Sequence, residues 1–224
     1  MIADLVPAGV RAQDAFGDSG PESTATLFPA EQAVVDGVCD ERRKEFTTVR
    51  GCARAALARL GVAPTPLVPG PLGAPRWPAG VLGSMTHCRG YRAAAVARTA
   101  EFAALGIDAE PQEPLPDVVA SRIVTGPESD WLRQQFPEDA GLPLDRLLFC
   151  AKEASYKAFA PWTPTRFGFQ DFAVRLRPDG TFRTVPPSAA MPPAGPCAAG
   201  ITGRWAARSG FLLTVVVVPR TAGR

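Results

Sequence analysis

Apolar residues repeat at helical spacing in two long segments of the chain. The first runs from about residue 36 to 60 and ends at Gly61, a residue type that often closes a helix in the left-handed conformation. The second covers 144–160, where leucine, alanine and phenylalanine side chains share one face. The pattern therefore predicts two long amphipathic helices, and the second carries polar residues on its other face: Lys152, Glu153, Tyr156 and Lys157.

Shorter segments with strand character surround these helices. Glycine- and proline-rich stretches predict a loop with at most one short element over 1–30 and an extended loop over 62–78. Residues 111–143 are expected to hold one helix near 116–123 among irregular connections. Helices and strands thus occur in both halves, which is typical of an α+β fold divided near residue 100. The predicted strands, including a hairpin around Asp179-Gly180, are 91–97, 102–109, 169–176, 181–185, 200–206 and 211–218.

Length and composition favour a globular protein. The 224 residues can bury a substantial core, and no apolar run is long enough to cross a bilayer. The five cysteines form no Cys-x-x-Cys pair, so we interpret them as small buried residues in a reducing compartment. The single histidine, His87, excludes sites built on two histidines. We expect a cytoplasmic protein that has no secretory signal and does not enter a membrane.

Charge is distributed unevenly along the chain. The formal net charge of +2 gives no reason to expect a nucleic acid partner. Basic residues nevertheless crowd the first predicted helix, where Arg43, Thr47, Arg50 and Arg54 fall on one face and apolar residues on the other. Solvated surface charge is the ordinary interpretation of most single arginines, but a cluster aligned on one face is less ordinary.

Two acidic residues lie on one predicted strand, in the segment Leu105-Gly106-Ile107-Asp108-Ala109-Glu110. Side chains alternate along a strand, so both carboxylates point to the same side, and two oxyanions held that close need a cation. Mg²⁺ is the natural candidate, because it takes carboxylate oxygens, water and phosphate.

The second long helix carries the complementary chemistry, about forty residues later in the chain. Glu153 offers a third carboxylate for the metal, and Lys152 and Lys157 offer ammonium groups for phosphate oxygens. The alternative interpretation is a solvated helix face with a salt bridge between Glu153 and Lys157.

A third segment joins these two in an ordered set of motifs. Trp77-Pro78-Ala79-Gly80, with Gly83-Ser84-Met85-Thr86-His87 after it, precedes the Asp-x-Glu strand and the helix Phe149-Cys150-Ala151-Lys152-Glu153-Ala154-Ser155-Tyr156-Lys157. In this order and with the basic segment 42–54 upstream, the chain resembles the 4′-phosphopantetheinyl transferases of the surfactin and enterobactin synthetase type. The resemblance covers most of the chain.

The resemblance implies a fold of two similar subdomains related by a pseudo-twofold axis, each with a small sheet packed on a long helix. Residues 1–100 would form the N-terminal subdomain, which contacts the phosphates and adenine of coenzyme A. Residues 101–224 would form the C-terminal subdomain, which supplies the metal ligands and the catalytic helix. The coenzyme would bind between the two.

The resemblance also implies roles for individual residues. Asp108, Glu110 and Glu153 would bind Mg²⁺, and Glu153, directly or through a water, would be the general base. Lys157 would act in catalysis and balance charge on the diphosphate. The coenzyme-binding residues implied by the same pattern are Arg42, Arg50, Gly73, Thr86, His87, Lys152 and Lys157.

The implied reaction moves the phosphopantetheine arm of coenzyme A to a serine of an apo acyl or peptidyl carrier protein and releases adenosine 3′,5′-bisphosphate. We expect a monomer, because a chain with two subdomains need not dimerise to form the site. Family members often carry a basic residue in the loop that here reads Pro69-Gly70-Pro71-Leu72, and Arg76 is the nearest substitute. Two other classes remain open: a Mg²⁺-dependent phosphohydrolase and a non-catalytic protein that binds carrier proteins.

Overall fold

Two antiparallel sheets, each covered by a long helix, make up the computed structural model, which describes residues 1–70, 73–138, 141–162, 167–185 and 200–220. The strands are β1 (Arg11–Phe16), β2 (Val81–Cys88), β3 (Tyr91–Arg98), β4 (Phe102–Pro111), β5 (Ala173–Leu176), β6 (Thr181–Val185), β7 (Ile201–Arg208) and β8 (Phe211–Pro219). The α-helices are α1 (Pro29–Gln32), α2 (Asp40–Ala58), α3 (Asp117–Ile123), α4 (Gly126–Gln135) and α5 (Leu144–Phe159). Short 3₁₀ turns lie at Ile2–Asp4, Pro21–Thr24, Ala33–Val35, Ala160–Trp162 and Phe169–Asp171.

The first sheet has the strand order β1-β3-β2, and the second has the order β4-β8-β7-β6-β5. The central strand β3 is buried on both faces, which suits its run of alanine and valine. One face of the first sheet packs on α2 through Cys52, Ala56 and Leu57. Its other face packs against the second sheet, where Tyr91 and Ala93 join Ile107 and Leu213 in one apolar cluster. The second sheet buries its remaining face under α5.

The two sheets are also joined along their edges. Strand β4 is an edge strand, so some of its backbone N–H groups have no neighbouring strand to bind. The hydroxyl oxygens of Ser84 and Thr86 on β2 accept hydrogen bonds from Ile107 N and Ala109 N, at 3.1 and 3.2 Å. Two side chains thus take the place of a backbone ladder between the sheets.

Helix α5 approaches β4 unusually closely at Gly106. A Cβ atom on this glycine would lie 1.9 Å from the carbonyl oxygen of Ala154 and 2.7 Å from the nitrogen of Ala158. Both neighbours are backbone atoms, which cannot rotate away as a side chain could. The absence of a side chain at Gly106 therefore sets how near the helix lies to the strand.

The α+β architecture predicted from the pattern is confirmed, as are both long helices. Gly61 follows α2 with φ +69°, as its position predicted. The hairpin and the last two strands are also found, with the first hairpin strand shortened because its predicted start forms a 3₁₀ turn. The chain passes from the first sheet to the second at the turn between β3 and β4. The division into subdomains at residue 100 stays a prediction.

Four elements were not predicted individually. Strand β1 lies in the segment expected to be a loop with at most one short element, and α1 lies at its end. Strand β2 lies in the motif segment, and α4 lies among the expected irregular connections. One cysteine also differs from expectation, because Cys39 is exposed at the start of α2, whereas Cys52, Cys88 and Cys150 are buried. Cys197 falls outside the described residues.

None of the helices in the described ranges is both long enough and apolar enough to cross a membrane.

Candidate active site

Asp108 and Glu110 lie on the face of β4 that meets helix α5. Gly106, two residues before Asp108, is the point at which α5 touches this face, and side chains alternate along a strand. Ile107 and Ala109 point the other way, into the cluster between the sheets. The sequence prediction that both carboxylates share one side of the strand is therefore consistent with the packing.

Asp108 is the buried centre of this site, with 4% of its surface exposed. Its Oδ1 accepts hydrogen bonds from Lys157 Nζ at 2.6 Å and from the Thr86 hydroxyl at 2.8 Å. The second carboxylate oxygen, Oδ2, is buried and has no hydrogen-bond partner among the described residues. A buried carboxylate oxygen without a partner is costly, so this atom is suited to a ligand that the protein alone does not supply.

Glu110 is held by Arg146, a residue that sequence reasoning missed. Arg146 Nη1 lies 2.8 Å from Glu110 Oε2, and the same guanidinium donates to the carbonyl oxygens of Glu113 and Pro114. The sequence could have indicated Arg146 by its spacing on α5. Arg146 precedes Glu153 by two helical turns and therefore lies on the same face of the helix.

Glu153 faces the same site from helix α5. Burial raises the pKa of Glu153, and the charges of Asp108 and Glu110 raise it further, while Lys157 opposes them. Burial and Asp108 likewise raise the pKa of Glu110 against the pull of Arg146. The three carboxylates predicted from the sequence are thus close enough for their charges to interact.

The types of these residues suit a divalent cation, although their side chains are not arranged as a preformed metal site. Within the described ranges, no three His, Cys, Asp or Glu side chains form a ready metal-binding group. Asp108 nevertheless offers its unpartnered Oδ2, and burial raises the pKa of Glu110 and of Glu153, so a bound cation would favour their charged forms. Such an all-oxygen donor set is the one that Mg²⁺ prefers.

A cleft of about 690 Å³ opens beside the acidic residues. It lies between α2 and β2 on one side and the start of β4 and the end of α5 on the other. Many of its walls are apolar, and its charged and polar members include Arg42, Arg50, His87, Glu153 and Lys157. Residues from both halves of the chain therefore line one cavity, large enough for a small-molecule ligand.

His87 and Arg42 lie together on the rim of this cleft. Arg42 Nη1 is 2.7 Å from His87 Nε2, although the two residues are 45 positions apart in the sequence. Partial burial and the charge of Arg42 lower the pKa of His87, whereas Glu45 raises it. The structure thus brings together two residues that were predicted to bind coenzyme phosphates.

Arg50 and Gly73 also line the cleft, as expected. Arg50 is 7% exposed, donates from Nε to the Leu67 carbonyl oxygen at 3.2 Å, and stacks on the Phe46 ring. Burial lowers the pKa of Arg50 to about 10, against the influence of Glu31. Its guanidinium is therefore fixed in place before any ligand binds.

Thr86 was expected to bind a coenzyme phosphate, but its hydroxyl group is engaged elsewhere. It is 3% exposed, and its hydroxyl is occupied by Asp108 Oδ1 and Ala109 N. The residue therefore orients a carboxylate and joins the sheets, and this placement does not support contact with coenzyme phosphate.

Lys152 is not brought to the cleft, contrary to the prediction that it shares a polar face with Lys157. Its side chain is fully buried, and Nζ lies 2.8 Å from Glu128 Oε2 and 2.7 Å from the Ile123 carbonyl oxygen. Glu128 in turn accepts from the backbone of Thr125 and Val174. Lys152 is thus the centre of a buried ion pair that fastens α4 to α5.

Arg76 lies beside the loop that lacks a basic residue, but it does not line the cleft among the described residues. Its exposed side chain lies against Gly70. Pro71 and Leu72 fall outside the described residues. Trp77 packs against Gly83.

Comparison with known families gives two matches that together cover most of the chain. Residues 30–97 match the family described as 4′-phosphopantetheinyl transferase N-terminal domain. Residues 104–207 match the family described as 4′-phosphopantetheinyl transferase superfamily. The first match includes α2 and the cleft-lining β2, and the second includes most of β4 and all of α5.

Characterised relatives are similar over the whole chain. The chain is 46% identical to 4′-phosphopantetheinyl transferase Svp of Streptomyces mobaraensis, covering 100% of this chain and 91% of that protein. It is 40% identical to Npt of Nocardia iowensis over 96% and 99% of the two chains, and 38% identical to PptT of Mycobacterium tuberculosis over 97% and 98%. The chain therefore belongs to the 4′-phosphopantetheinyl transferase family.

Proposed function

We propose that this transferase takes coenzyme A as donor and Mg²⁺ as cofactor, and moves the phosphopantetheine arm to a serine of an apo acyl or peptidyl carrier protein. We further propose that it is of the surfactin and enterobactin synthetase type and acts as a cytoplasmic monomer. The observation that carries the proposal is the buried Asp108 with its unpartnered Oδ2, next to Lys157 and a cleft shared by both halves of the chain.

Asp108, Glu110 and Glu153 would hold Mg²⁺, which when bound supplies positive charge to the diphosphate of the coenzyme. Lys157 and Arg146 hold these carboxylates in place from α5. They also neutralise part of the acidic charge, so an anionic coenzyme is not repelled from the site.

Glu153 is the group suited to accept the proton of the attacking serine. The serine oxygen bonds to the phosphorus that bears the pantetheine arm, the bridging P–O bond breaks, and adenosine 3′,5′-bisphosphate leaves. The raised pKa of Glu153 makes its carboxylate more basic than an ordinary glutamate. Because Glu153 lines the cleft, a serine presented there would meet it at the reacting centre.

Arg42, Arg50, His87 and Lys157 would bind the phosphates of the coenzyme, with Gly73 lining the same wall. They come from α2, β2 and α5, so they surround the cleft from several sides. Charge-assisted hydrogen bonds of this kind are among the stronger polar contacts available to a protein. Lys152 and Thr86, whose polar groups are already occupied, are left out of this set.

Intact-mass spectrometry of apo carrier proteins tests the proposal directly. With enzyme, coenzyme A and Mg²⁺, the carrier should gain the mass of one phosphopantetheine group, and a chelator should prevent the gain. Separate acyl and peptidyl carriers would show which class is served. A carrier whose mass gain is equal with and without chelator would contradict the metal assignment.

The same assay separates the two alternatives. A phosphohydrolase would consume coenzyme A at an undiminished rate when no carrier protein is added. A non-catalytic binding protein would retain the carrier on a column but leave its mass unchanged. A variant carrier with alanine at the acceptor serine is the matched control, because it should bind and remain unmodified.

A further inference from the structure

Glu45 of α2 lies behind the His87–Arg42 pair, and the reaction as described makes no use of it. Its Oε2 is 3.1 Å from Arg42 Nη1 and 3.8 Å from His87 Nδ1. Its Oε1 is 3.3 Å from Arg92 Nη2. One partly buried carboxylate therefore faces both residues that form this rim of the cleft.

Arg92, on strand β3 of the first sheet, fixes the position of Glu45. Its side chain is 5% exposed, and its guanidinium pairs with Asp18 at 2.8 Å as well as with Glu45. It also donates to the carbonyl oxygens of Cys88 and Tyr91. An arginine held at so many points gives the Glu45 carboxylate a rigid anchor in the first sheet.

The contact between Arg42 and His87 determines the tautomer of the histidine ring. A guanidinium can only donate hydrogen bonds, so His87 Nε2 must accept the one from Arg42 at 2.7 Å. The ring proton therefore lies on Nδ1, the nitrogen nearer to Glu45. In this arrangement, Glu45 faces the protonated side of a neutral imidazole.

Toward Arg42, Nε2 of His87 must accept a hydrogen bond. Toward a coenzyme phosphate it must donate one, because phosphate oxygens accept hydrogen bonds. For His87 to bind the phosphate, Nε2 must carry a proton. A change to the neutral tautomer would turn the lone pair of Nδ1 toward the Glu45 carboxylate, so Nδ1 keeps its proton. We propose that Glu45 is a positioning residue that holds the His87 ring and stabilises it as an imidazolium, so that coenzyme binding takes up one proton from solvent at His87. This inference rests on the proposed use of coenzyme A.

The charges around His87 agree with such a change. Arg42 and Glu45 face the ring from α2, Arg92 from β3 and Lys157 from α5. Partial burial and the three cations lower the pKa of His87, and Glu45 is the one anion among these neighbours that raises it. An added phosphate supplies further negative charge, which favours the imidazolium.

The experiment uses the fact that His87 is the only histidine of the chain. In protein labelled with ¹⁵N-histidine, NMR reports the state of each ring nitrogen without ambiguity. Near pH 7.5 the free enzyme should show a protonated Nδ1 and an unprotonated Nε2, and saturation with coenzyme A should protonate both. Calorimetry in two buffers of different ionisation enthalpy should show matching proton uptake.

Variants of Glu45 test its part. In Glu45→Gln, the titration midpoint of His87 in the coenzyme complex should fall by about one pH unit or more, and Glu45→Asp should restore part of it. Glu41→Gln is the matched control, because Glu41 is exposed on the same helix. It should leave the midpoint unchanged.

Three results would overturn the inference. A neutral His87 in the saturated wild-type complex excludes the imidazolium, and this measurement needs no variant to fold. An equal midpoint in wild type and Glu45→Gln excludes the role of Glu45. If calorimetry detects no coenzyme binding to the wild type, the proposed function fails first, and the inference fails with it.

Discussion

Lys157 connects the acidic site to the cleft, since its ammonium group contacts Asp108 while its side chain remains 27% exposed. Burial alone would lower the pKa of Lys157, but Asp108 and Glu153 outweigh it and raise the pKa. The group therefore stays charged over the whole range in which the enzyme can be assayed.

We predict that Lys157→Ala lowers the transfer rate by about 10²-fold or more, because it removes the charge that faces both carboxylate and phosphate. Lys157→Arg should recover only part of the rate, since a planar guanidinium does not replace a compact ammonium. Rates come from the intact-mass assay, with urea unfolding as the control for folding. Equal rates in all three proteins would exclude Lys157 from catalysis and from phosphate binding.

Protons should leave the acidic site when metal binds. Burial raises the pKa of Glu110 and Glu153 above the ordinary 4.5, so between that value and the raised pKa the folded protein carries extra protons. A divalent cation binds the deprotonated form, so Mg²⁺ must displace them and its affinity should rise with pH across this window.

Calorimetry of Mg²⁺ binding in two buffers measures this release as a function of pH. Release should be greatest in the mildly acidic range, should vanish well above the raised pKa values, and should fall in Glu153→Gln. A release of zero at every pH, or one unchanged in Glu153→Gln, would exclude these carboxylates as the coupled groups.

At the scale of elements, α5 uses its two lysines for opposite purposes. Lys157 faces the cleft, whereas Lys152 is buried against α4 and pairs with Glu128. Removing one partner of a buried ion pair leaves the other charge uncompensated, which is strongly destabilising.

We predict that Lys152→Met destabilises the fold by about 3–5 kcal/mol in urea unfolding. Adding Glu128→Gln should restore part of the stability, because the buried charge is then gone and the amide oxygen remains an acceptor for one of the two backbone N–H groups, of Val174 or of Thr125, that Glu128 now satisfies. At a temperature where Lys152→Met is folded, its transfer rate should stay near that of the wild type. A large loss of rate in folded protein would return Lys152 to the phosphate site.

These two lysines show what the sequence could and could not predict. The helix, its polar residues and the Asp-x-Glu strand follow from periodicity, which is a local property of the chain. The difference between Lys152 and Lys157 depends on Glu128, which belongs to a helix that periodicity did not reveal. Strand β2 was missed for a related reason, because its polar Ser84 and Thr86 are satisfied by a distant strand.

At the scale of the whole molecule, the hydroxyls of Ser84 and Thr86 join the two sheets directly beside Asp108. We predict that Thr86→Val lowers the free energy of unfolding by about 1–3 kcal/mol, since it leaves a buried N–H without an acceptor. Thr86→Ser should keep most of the stability. Urea unfolding of the two variants makes the comparison, and equal stability would show that the hydroxyl bridge is not needed.

The close approach of α5 to β4 at Gly106 has a consequence for how mutational data on this enzyme should be understood. Any side chain at that position forces helix and strand apart, and with them Glu153 and Lys157 from Asp108. In a saturation scan scored by transfer activity, Gly106 should tolerate substitution as poorly as a catalytic residue. This sensitivity would not come from contact with a ligand. It would arise because the missing side chain of Gly106 sets the distance between the reacting groups on α5 and β4.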